Sequence, residues 1–481
     1  MSEAQRAQSE TRAFAALGLA FATLIALTHL RTARVSSDTF YVLAAGQEMA
    51  RFGLPHTNTL TELGHGALWV NPQWLAQLAF TSVMRVTGFA GLVIVRALLG
   101  GLALFIALWM GRRGALVVDA KSPGLHTLLI AFAALVLLVP HANIRAQSFA
   151  EVLFALTLAL LFWAELSWGR VLTVAALLAL WANVHGSVLL GCGLVALHGL
   201  LSRAPMRPRL ALIAAAIVAP CITPYGLEAL SYYRAMRTVG ASAPMTEWAP
   251  LTPAEAPLVW ALALVALVLA ARTGRIAIER ALPLALTALL ALTGARHTSI
   301  FALALVFHAP ALLAQASPKA FHTSLSGRAG SAWLGLTGLA FIITTSLLVV
   351  HHNAAIAVGY PVSTSEEVAR LAGDAGLVFA DESQADRLLL QAPALRGRVA
   401  YDARAEVIPR DDMMTIMQLA RGGDTTSLGW LASRYQVLVL DREAKPRLLA
   451  AVRADARWAR ALVDPHAEVF VRRDYAPTQT P

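Results

Sequence analysis

Residues 89–110 read FAGLVIVRALLGGLALFIALWM, an apolar run that carries one charged side chain, Arg96. An α-helix rises about 1.5 Å per residue, so a run of this length crosses the roughly 30 Å hydrocarbon core of a bilayer. A helix also pairs its backbone groups internally, as lipid requires. The run therefore predicts a transmembrane helix.

Ten further apolar blocks extend this pattern along the chain. They are 13–30, 125–140, 148–166, 171–181, 188–201, 210–222, 258–271, 281–293, 299–313 and 332–351. Hydrophobic residues make up 57% of the chain and charged residues 14%, and the mean hydropathy of +0.60 lies outside the usual range of soluble domains. The sequence therefore predicts an α-helical polytopic membrane protein with about eleven spans.

The basic residues of the short loops predict how the chain is oriented. Twelve Arg and Lys residues fall on one side of the predicted bilayer, against four on the other side, Arg145, Arg234, Arg237 and Arg296. Because short cytoplasmic loops are enriched in Arg and Lys, we expect a cytoplasmic N-terminus in the inner (plasma) membrane and, after eleven spans, an extracytoplasmic C-terminal domain. These loops also explain much of the net charge of +10. No basic–aromatic patch indicates nucleic acid, and the lipid bilayer is the expected partner.

The chain divides into four predicted regions: a tail and first span (1–30), a first extracytoplasmic loop (31–88), a multi-span domain (89–352) and a C-terminal domain (359–475). Within the first loop, 38–52 and 72–86 have the pattern of helices lying along the membrane surface. In the last region, buried strands at 376–380, 398–401, 435–440 and 467–471 alternate with helical patterns at 365–372, 411–420, 425–433 and 445–460. This alternation predicts a small, mostly parallel α/β domain.

Polar clusters lie on every second connection between the apolar blocks. They are Asp38, the segment 141–147 with Arg145, the segment 183–186 with His185, the segment 224–226 with Tyr225 followed by Glu247 and Trp248, and Arg296 with His297. If each block crosses the bilayer, all of these clusters emerge on the same side. The pattern therefore predicts a shared active-site face.

The order of these motifs resembles a known family. The first loop contains Ser37-Asp38-Thr39-Phe40-Tyr41, then Leu54-Pro55-His56-Thr57, then Trp69-Val70-Asn71-Pro72-Gln73-Trp74-Leu75, and the clusters named above follow in order. This order resembles the bacterial membrane glycosyltransferases of the GT-C superfamily, which includes oligosaccharyltransferases and protein mannosyltransferases. The resemblance covers nearly the whole chain.

The resemblance implies transfer of a sugar from a polyprenyl-phosphate carrier to an acceptor hydroxyl on the outer face of the membrane. It places an acidic residue of the first loop, here Asp38, at the reaction centre. Two positions depart from the family pattern: the neighbours of Asp38 are not acidic, and Gln73 replaces the usual glutamate. Without metal-type spacing or a nucleotide-binding glycine motif, no metal and no cofactor are predicted.

Such a transfer needs a base for the acceptor and cations for the departing phosphate. Asp38 is the candidate base, although a residue at this position also suits a helix N-cap. Arg145, Arg296 and His297 are candidate phosphate ligands, since guanidinium binds phosphate oxygens bidentately. Snorkelling to lipid headgroups is the alternative for these cations.

Other polar and aromatic residues are further candidates. His185 suits phosphate or acceptor binding, or a hydrogen-bonded structural turn. Glu247 is the second candidate acid, and Tyr225 and Trp248 suit stacking on a sugar ring, although aromatic residues at membrane interfaces also serve as anchors. Arg96 and Glu151 lie inside apolar blocks, where ionisable groups are costly, so we expect an ion pair or a cavity-lining role.

Two other functions remain open. Arg96, Glu151 and the break near His185 would suit a transporter or flippase for a lipid-linked saccharide, although no inverted repeat is visible. The single acid Asp38 and the amide Gln73 would suit a GT-C scaffold that has lost catalysis and binds ligands with its C-terminal domain.

Overall fold

The computed structural model describes residues 3–32, 37–118, 124–162, 165–242, 250–316 and 327–476. The membrane region contains α1 (Glu3–Thr32), α2 (Ser37–Phe52), α3 (Trp74–Val118), α4 (Gly124–Leu138), α5 (Gln147–Phe162), α6 (Trp168–Val184), α7 (Val188–Leu201), α8 (Met206–Val218), α9 (Ala229–Ser242), α10 (Pro257–Thr293), α11 (Thr298–Ala316) and α12 (Gly327–Gly359). The predicted helical membrane protein is confirmed.

Each of the eleven apolar blocks is mostly helix in its described part, with 165–166 and residue 222 as non-helical ends. Two of the blocks share α10, which is interrupted by non-helical backbone at Ala277. Within the described ranges, 5 helices are long and apolar enough to cross a membrane, or up to 6 if a bent pair beginning with α8 is one span. The remaining apolar helices are short, so a count of eleven spans stays a prediction.

A glycine divides α3 into a surface part and a membrane part. Gly88 has φ 69°, in the left-handed region that favours glycine, so the helix bends there. The part before the bend matches the predicted surface helix at 72–86, and α2 matches the one predicted at 38–52. The boundary expected at residue 88 therefore corresponds to a change in backbone direction.

The membrane part of α3 packs against α1, α5, α11 and α12. Inside this bundle Arg96 forms an ion pair with Glu151 of α5 at 3.0 Å, and their side chains are only 1% and 3% exposed. Arg96 also donates hydrogen bonds to the carbonyl oxygens of His141, at 2.8 Å, and Asn143, at 3.2 Å. The expected ion pair between Arg96 and Glu151 is therefore present. The hydrogen bonds of Arg96 also fix the segment that leads to Arg145.

The C-terminal domain contains α13 (Val362–Ala372), α14 (Glu382–Gln391), α15 (Arg410–Ala420), α16 (Thr425–Arg434) and α17 (Pro446–Ala454). Its sheet consists of β1 (Val378–Ala380), β2 (Val437–Asp441), β3 (Trp458–Val463) and β4 (Ala467–Arg472) in the order β1-β2-β4-β3. The small α/β domain is confirmed. The expectation of a mostly parallel sheet is wrong, because only β1 and β2 run parallel and the other two pairs are antiparallel.

Two local assignments explain that error. The helix predicted at 445–460 ends at Ala454, and the chain turns at Asp455, which accepts the backbone N–H of Arg457 before β3 begins. The strand predicted at 398–401 forms only isolated bridges, from Val399 to Val378 and to Thr61. The second bridge joins the C-terminal domain to the first loop.

The first loop is part of the C-terminal domain's structure. The backbone N–H groups of Glu62 and Leu63 donate to the carbonyls of Val399 and Ala400 at 2.8 and 2.9 Å. Three arginines of the domain add side-chain contacts to the loop and α2: Arg396 to Glu48 at 2.7 Å, Arg404 to Asn58 at 2.8 Å and Arg434 to Glu62 at 2.6 Å. These contacts fix α2, and therefore Asp38, relative to the domain.

Candidate active site

A cavity of about 590 Å³ lies between the ends of the membrane helices and the C-terminal domain. Polar side chains from the membrane region line one wall: Asp38, Gln73, Arg145, Gln147, His185 and Arg296. Residues of the C-terminal domain line the other: Glu382, Tyr401, Asp402, Arg404, Glu406, Arg421 and Lys445. Four predicted site residues from four separate connections, Asp38, Arg145, His185 and Arg296, therefore meet in one cavity.

Asp38 and Arg145 form an ion pair on the membrane-side wall. Their side chains approach to 3.0 Å and are 38% and 19% exposed, so both remain accessible from the cavity. Asp38 lies in the first turn of α2, where the helix dipole favours a carboxylate. The Thr39 hydroxyl donates to the carbonyl of Ile144 at 2.9 Å and ties α2 to the segment carrying Arg145.

Arg296 enters the cavity from a 3₁₀ turn, Ala295–His297, between α10 and α11. The Gln147 amide donates to the carbonyl of Arg296 at 3.2 Å and approaches the Ser299 hydroxyl at 3.3 Å. The first turn of α5 thereby fixes the turn that carries Arg296. Two guanidinium groups, Arg145 and Arg296, then face one polar space, an arrangement suited to an anion with several oxygens.

His185 lies in the turn between α6 and α7. The backbone N–H of Ser187 donates to its Nδ1 at 3.1 Å, which places the proton of the neutral ring on Nε2. Burial, with Arg296 and Arg145 nearby, lowers the pKa of His185 to about 3. At neutral pH the ring is therefore an uncharged hydrogen-bond donor.

The glycine after His185 permits a close approach by α9. A Cβ at Gly186 would lie 2.7 Å from Cε1 and 2.9 Å from the hydroxyl oxygen of Tyr232, distances that real Cβ atoms do not show. Tyr232 itself lines the cavity. The small residue in the Asn-Val-His-Gly segment thus lets this tyrosine close one side of the site.

Several predicted residues lie elsewhere. Tyr225 does not line the cavity: its hydroxyl donates to the Pro55 carbonyl at 2.9 Å and its ring packs edge-on against His56. His297 follows Arg296 but is not part of the cavity wall. Glu247 and Trp248 lie outside the described residues.

The Trp-Val-Asn-Pro-Gln-Trp motif of the first loop connects elements next to the cavity through hydrogen bonds. Asn71 donates to Gln77 at 2.6 Å, and Gln77 donates to the Tyr41 hydroxyl at 3.2 Å. The indole of Trp74 donates to Asn183 at 2.8 Å. Gln73, where the family pattern has glutamate, lines the cavity with an uncharged side chain.

The wall formed by the C-terminal domain was missed by the sequence analysis. Arg404 contacts both carboxylate oxygens of Asp402 at 2.6 to 3.0 Å and lies over the Trp69 ring, 4.2 Å from its centroid. Glu406 follows on a 3₁₀ turn, Ala405–Val407. The charged residues at 402, 404 and 406 were a visible signal, but no local pattern indicates that they face Asp38.

Across the described ranges, no group of three or more His, Cys, Asp or Glu side chains is arranged to hold a metal ion. Arginine and lysine side chains line the cavity: Arg145, Arg296, Arg404, Arg421 and Lys445.

Comparison with known proteins identifies the fold. No protein-family model and no curated protein matches this sequence. Among solved structures, ArnT from Cupriavidus metallidurans bound to undecaprenyl phosphate aligns with 96% of this chain and 99% of its own, at 12% identity and a TM-score of 0.55. Its apo state aligns with 90% of this chain and 93% of its own, at 13% identity and a TM-score of 0.51. The chain has the GT-C fold.

The GT-C resemblance found in the motif order is thus confirmed at the level of fold. The apo oligosaccharyltransferase of Archaeoglobus fulgidus also aligns, over 89% of this chain and 69% of its own, at 11% identity and a TM-score of 0.49. Within the GT-C fold of this chain, the cavity lies where the helix connections meet the C-terminal domain.

Proposed function

We propose that this protein is a membrane glycosyltransferase that moves a sugar from a polyprenyl-phosphate carrier to an acceptor hydroxyl. The observation that carries the proposal is the meeting of Asp38 with Arg145 and Arg296 in one cavity at the ends of the membrane helices. The likeness in fold to ArnT, solved with undecaprenyl phosphate, supports a polyprenyl-phosphate ligand.

In the proposed reaction Asp38 is the base. Its carboxylate takes the proton of the acceptor hydroxyl as the acceptor oxygen forms a bond to the anomeric carbon of the sugar. The bond from that carbon to the phosphate oxygen breaks, and its electron pair stays on the phosphate. This direct displacement inverts the configuration at the anomeric carbon.

The cavity's cations would stabilise the leaving group. Arg145 and Arg296 balance the charge that develops on the phosphate, and the neutral His185 ring donates a hydrogen bond from Nε2. Arg145 contacts Asp38 at 3.0 Å. Phosphate binding to Arg145 would weaken its hold on Asp38 and leave the carboxylate freer to accept a proton.

The arginine and lysine distribution supports the proposed orientation. With the N-terminus in the cytoplasm, the cavity and the C-terminal domain face outward from the inner membrane. The acceptor would therefore be met on the outer face.

The transport alternative rested on the charges Arg96 and Glu151 and on the break near His185. These two charges are almost fully buried and contact one another and nearby carbonyl groups. The accessible polar groups instead gather in the cavity at one end of the helices, which supports group transfer over transport.

The proposal is tested by measuring polyprenyl phosphate released by protein in nanodiscs. The donors are lipid-linked sugars extracted from the producing cell's own membranes. We expect Arg296→Ala to release product about 100-fold more slowly, since removal of one charge-stabilising donor costs about 10²–10³ in rate. Arg203→Ala, an exposed arginine outside the cavity, is the control. Equal rates for wild type and Arg296→Ala would contradict the assigned role.

A further inference from the structure

Glu406 is held firmly at the domain's wall of the cavity. Next to it, Arg404 binds Asp402 and donates to Asn58 of the first loop at 2.8 Å. On the other side, a Cβ at Gly64 would lie 2.1 Å from the carbonyl oxygen of Val407, so only glycine allows the loop to pack this closely. The turn that carries Glu406 is therefore fixed between the domain and the first loop.

The Glu406 carboxylate lines the cavity. Among the described residues it forms no ion pair, since the nearby Arg404 is paired with Asp402. Burial raises the pKa of Glu406, whereas its own backbone N–H, the Arg404 charge and the Trp69 side chain oppose this effect. A partly desolvated carboxylate of this kind gains from a hydrogen-bond donor on a ligand.

An apolar surface lies on the same wall. Met413, Ile416, Met417 and Ala420 share one face of α15 at helical spacing, and all four line the cavity. Met236 of α9 lines it as well. Methionine side chains are flexible and polarisable, so such a surface adapts to an alkyl or isoprenoid group.

We propose that this wall is the acceptor site, and that the acceptor is an amphiphile: an alcohol carrying an apolar group. Glu406 accepts a hydrogen bond from a hydroxyl of the acceptor, and the face of α15 contacts its apolar part. Resting on the proposed function, this assignment leaves Asp38 as the base and makes Glu406 a residue that binds and orients the acceptor.

The site is tested with an alkyl glucoside whose octyl chain ends in a diazirine, added to protein in nanodiscs and activated by light. Trypsin releases residues 411–421, which contain the apolar face of α15, as one peptide. We expect the label in this peptide. Label in other segments with none in 411–421 would overturn the proposal.

Two variants separate the polar and apolar contacts. Glu406→Gln should raise the probe concentration that gives half-maximal labelling about tenfold, in line with the loss of a hydrogen bond to a charged group. Met417→Glu should reduce labelling of the peptide. Glu366→Gln, an exposed glutamate on α13, is the matched control. Unchanged labelling in both cavity variants, with wild-type melting temperatures, would overturn the site.

The labelling experiment needs neither donor nor turnover. If the protein labels as expected but releases no polyprenyl phosphate, the acceptor site stands and the transfer reaction fails. If it turns over donor but does not label, the transfer reaction stands and this site is wrong. The failures of the two proposals are therefore distinguishable.

Discussion

Arg145 forms an ion pair with Asp38, the residue that we propose as the base. The ion pair at 3.0 Å stabilises the ionised carboxylate, but it also occupies lone pairs that a base needs. A phosphate that competes for the guanidinium would loosen this pair when the donor binds. In the proposed reaction, donor binding would therefore free the Asp38 carboxylate to accept a proton.

Asp381, at the end of β1, provides a test based on pH. Burial raises its pKa to about 6, although the backbone N–H of Asp441 donates to it at 2.7 Å and Lys445 lies nearby. Because the pKa of Asp381 is higher in the folded than in the unfolded protein, its protonated carboxyl stabilises the fold. This stabilisation is complete below about pH 4 and is lost as pH rises through about 6. The loss amounts to about 3 kcal/mol by pH 7.5.

Asp381→Asn should remove that dependence. We expect the urea midpoint of the C-terminal domain to fall less between pH 5 and 7.5 in this variant than in wild type. Asp411→Asn, at an exposed position on α15, is the control and should follow wild type. Parallel pH profiles for Asp381→Asn and wild type would show that the buried carboxyl does not act this way.

For single residues, the sequence predicted which end of the helices a residue lies at, but not which way its side chain points. Asp38, Arg145, His185 and Arg296 reach the cavity because they follow or precede helices that end on the same side. Tyr225 and His297 occupy equally suitable places in the chain, but Tyr225 turns toward Pro55 and His297 is not part of the cavity wall. The rotation of a side chain about a short turn leaves no trace in a single sequence.

Among the helices, α3 and α5 are joined by a buried charge pair that also supports the site. Arg96 bonds Glu151 and two carbonyl groups in the segment before Arg145. Removing one partner of a buried pair leaves an uncompensated charge, whereas replacing both with apolar residues is often tolerated. Stability and activity should therefore respond differently to the two kinds of change.

Glu151→Ala should destabilise the membrane region by about 3–5 kcal/mol, seen as a lower melting temperature of the purified protein. The double variant Arg96→Leu/Glu151→Leu should recover most of that loss. It should still turn over donor more slowly, because the carbonyls of His141 and Asn143 lose their donor. Glu165→Ala, an exposed glutamate after α5, is the control. A melting temperature unchanged by Glu151→Ala would contradict a stabilising pair.

The strand directions of the C-terminal sheet could not be predicted from the sequence. The period of apolar residues located three of the four strands, but direction depends on the connections between them. The chain from α17 to β3 turns at Asp455 and returns beside β4 as a hairpin, which a continuous helical pattern concealed. Short amphipathic segments suit either a helix or an edge strand, and tertiary pairing decides between them.

For the whole molecule, the membrane architecture could be predicted because bilayer crossing requires long apolar helices. The cavity could be predicted only in part. The wall formed by the membrane region could be predicted, because every second connection between spans lies on the same side of the membrane. Its second wall depends on the first loop docking onto the C-terminal domain through Arg404–Asn58 and Arg434–Glu62, residues more than 340 positions apart. Long-range contacts of this kind have no local sequence pattern.

In the proposed reaction, Asp38 is the base of a sugar transfer. The most direct measurement compares wild type with Asp38→Asn in nanodiscs, recording both binding of extracted lipid-linked donor and release of polyprenyl phosphate. We predict that the variant binds donor at least as tightly, because its Arg145 is no longer held by a carboxylate. Release should be at least about 100-fold slower, the usual contribution of a general base. Release by Asp38→Asn at the wild-type rate would contradict it.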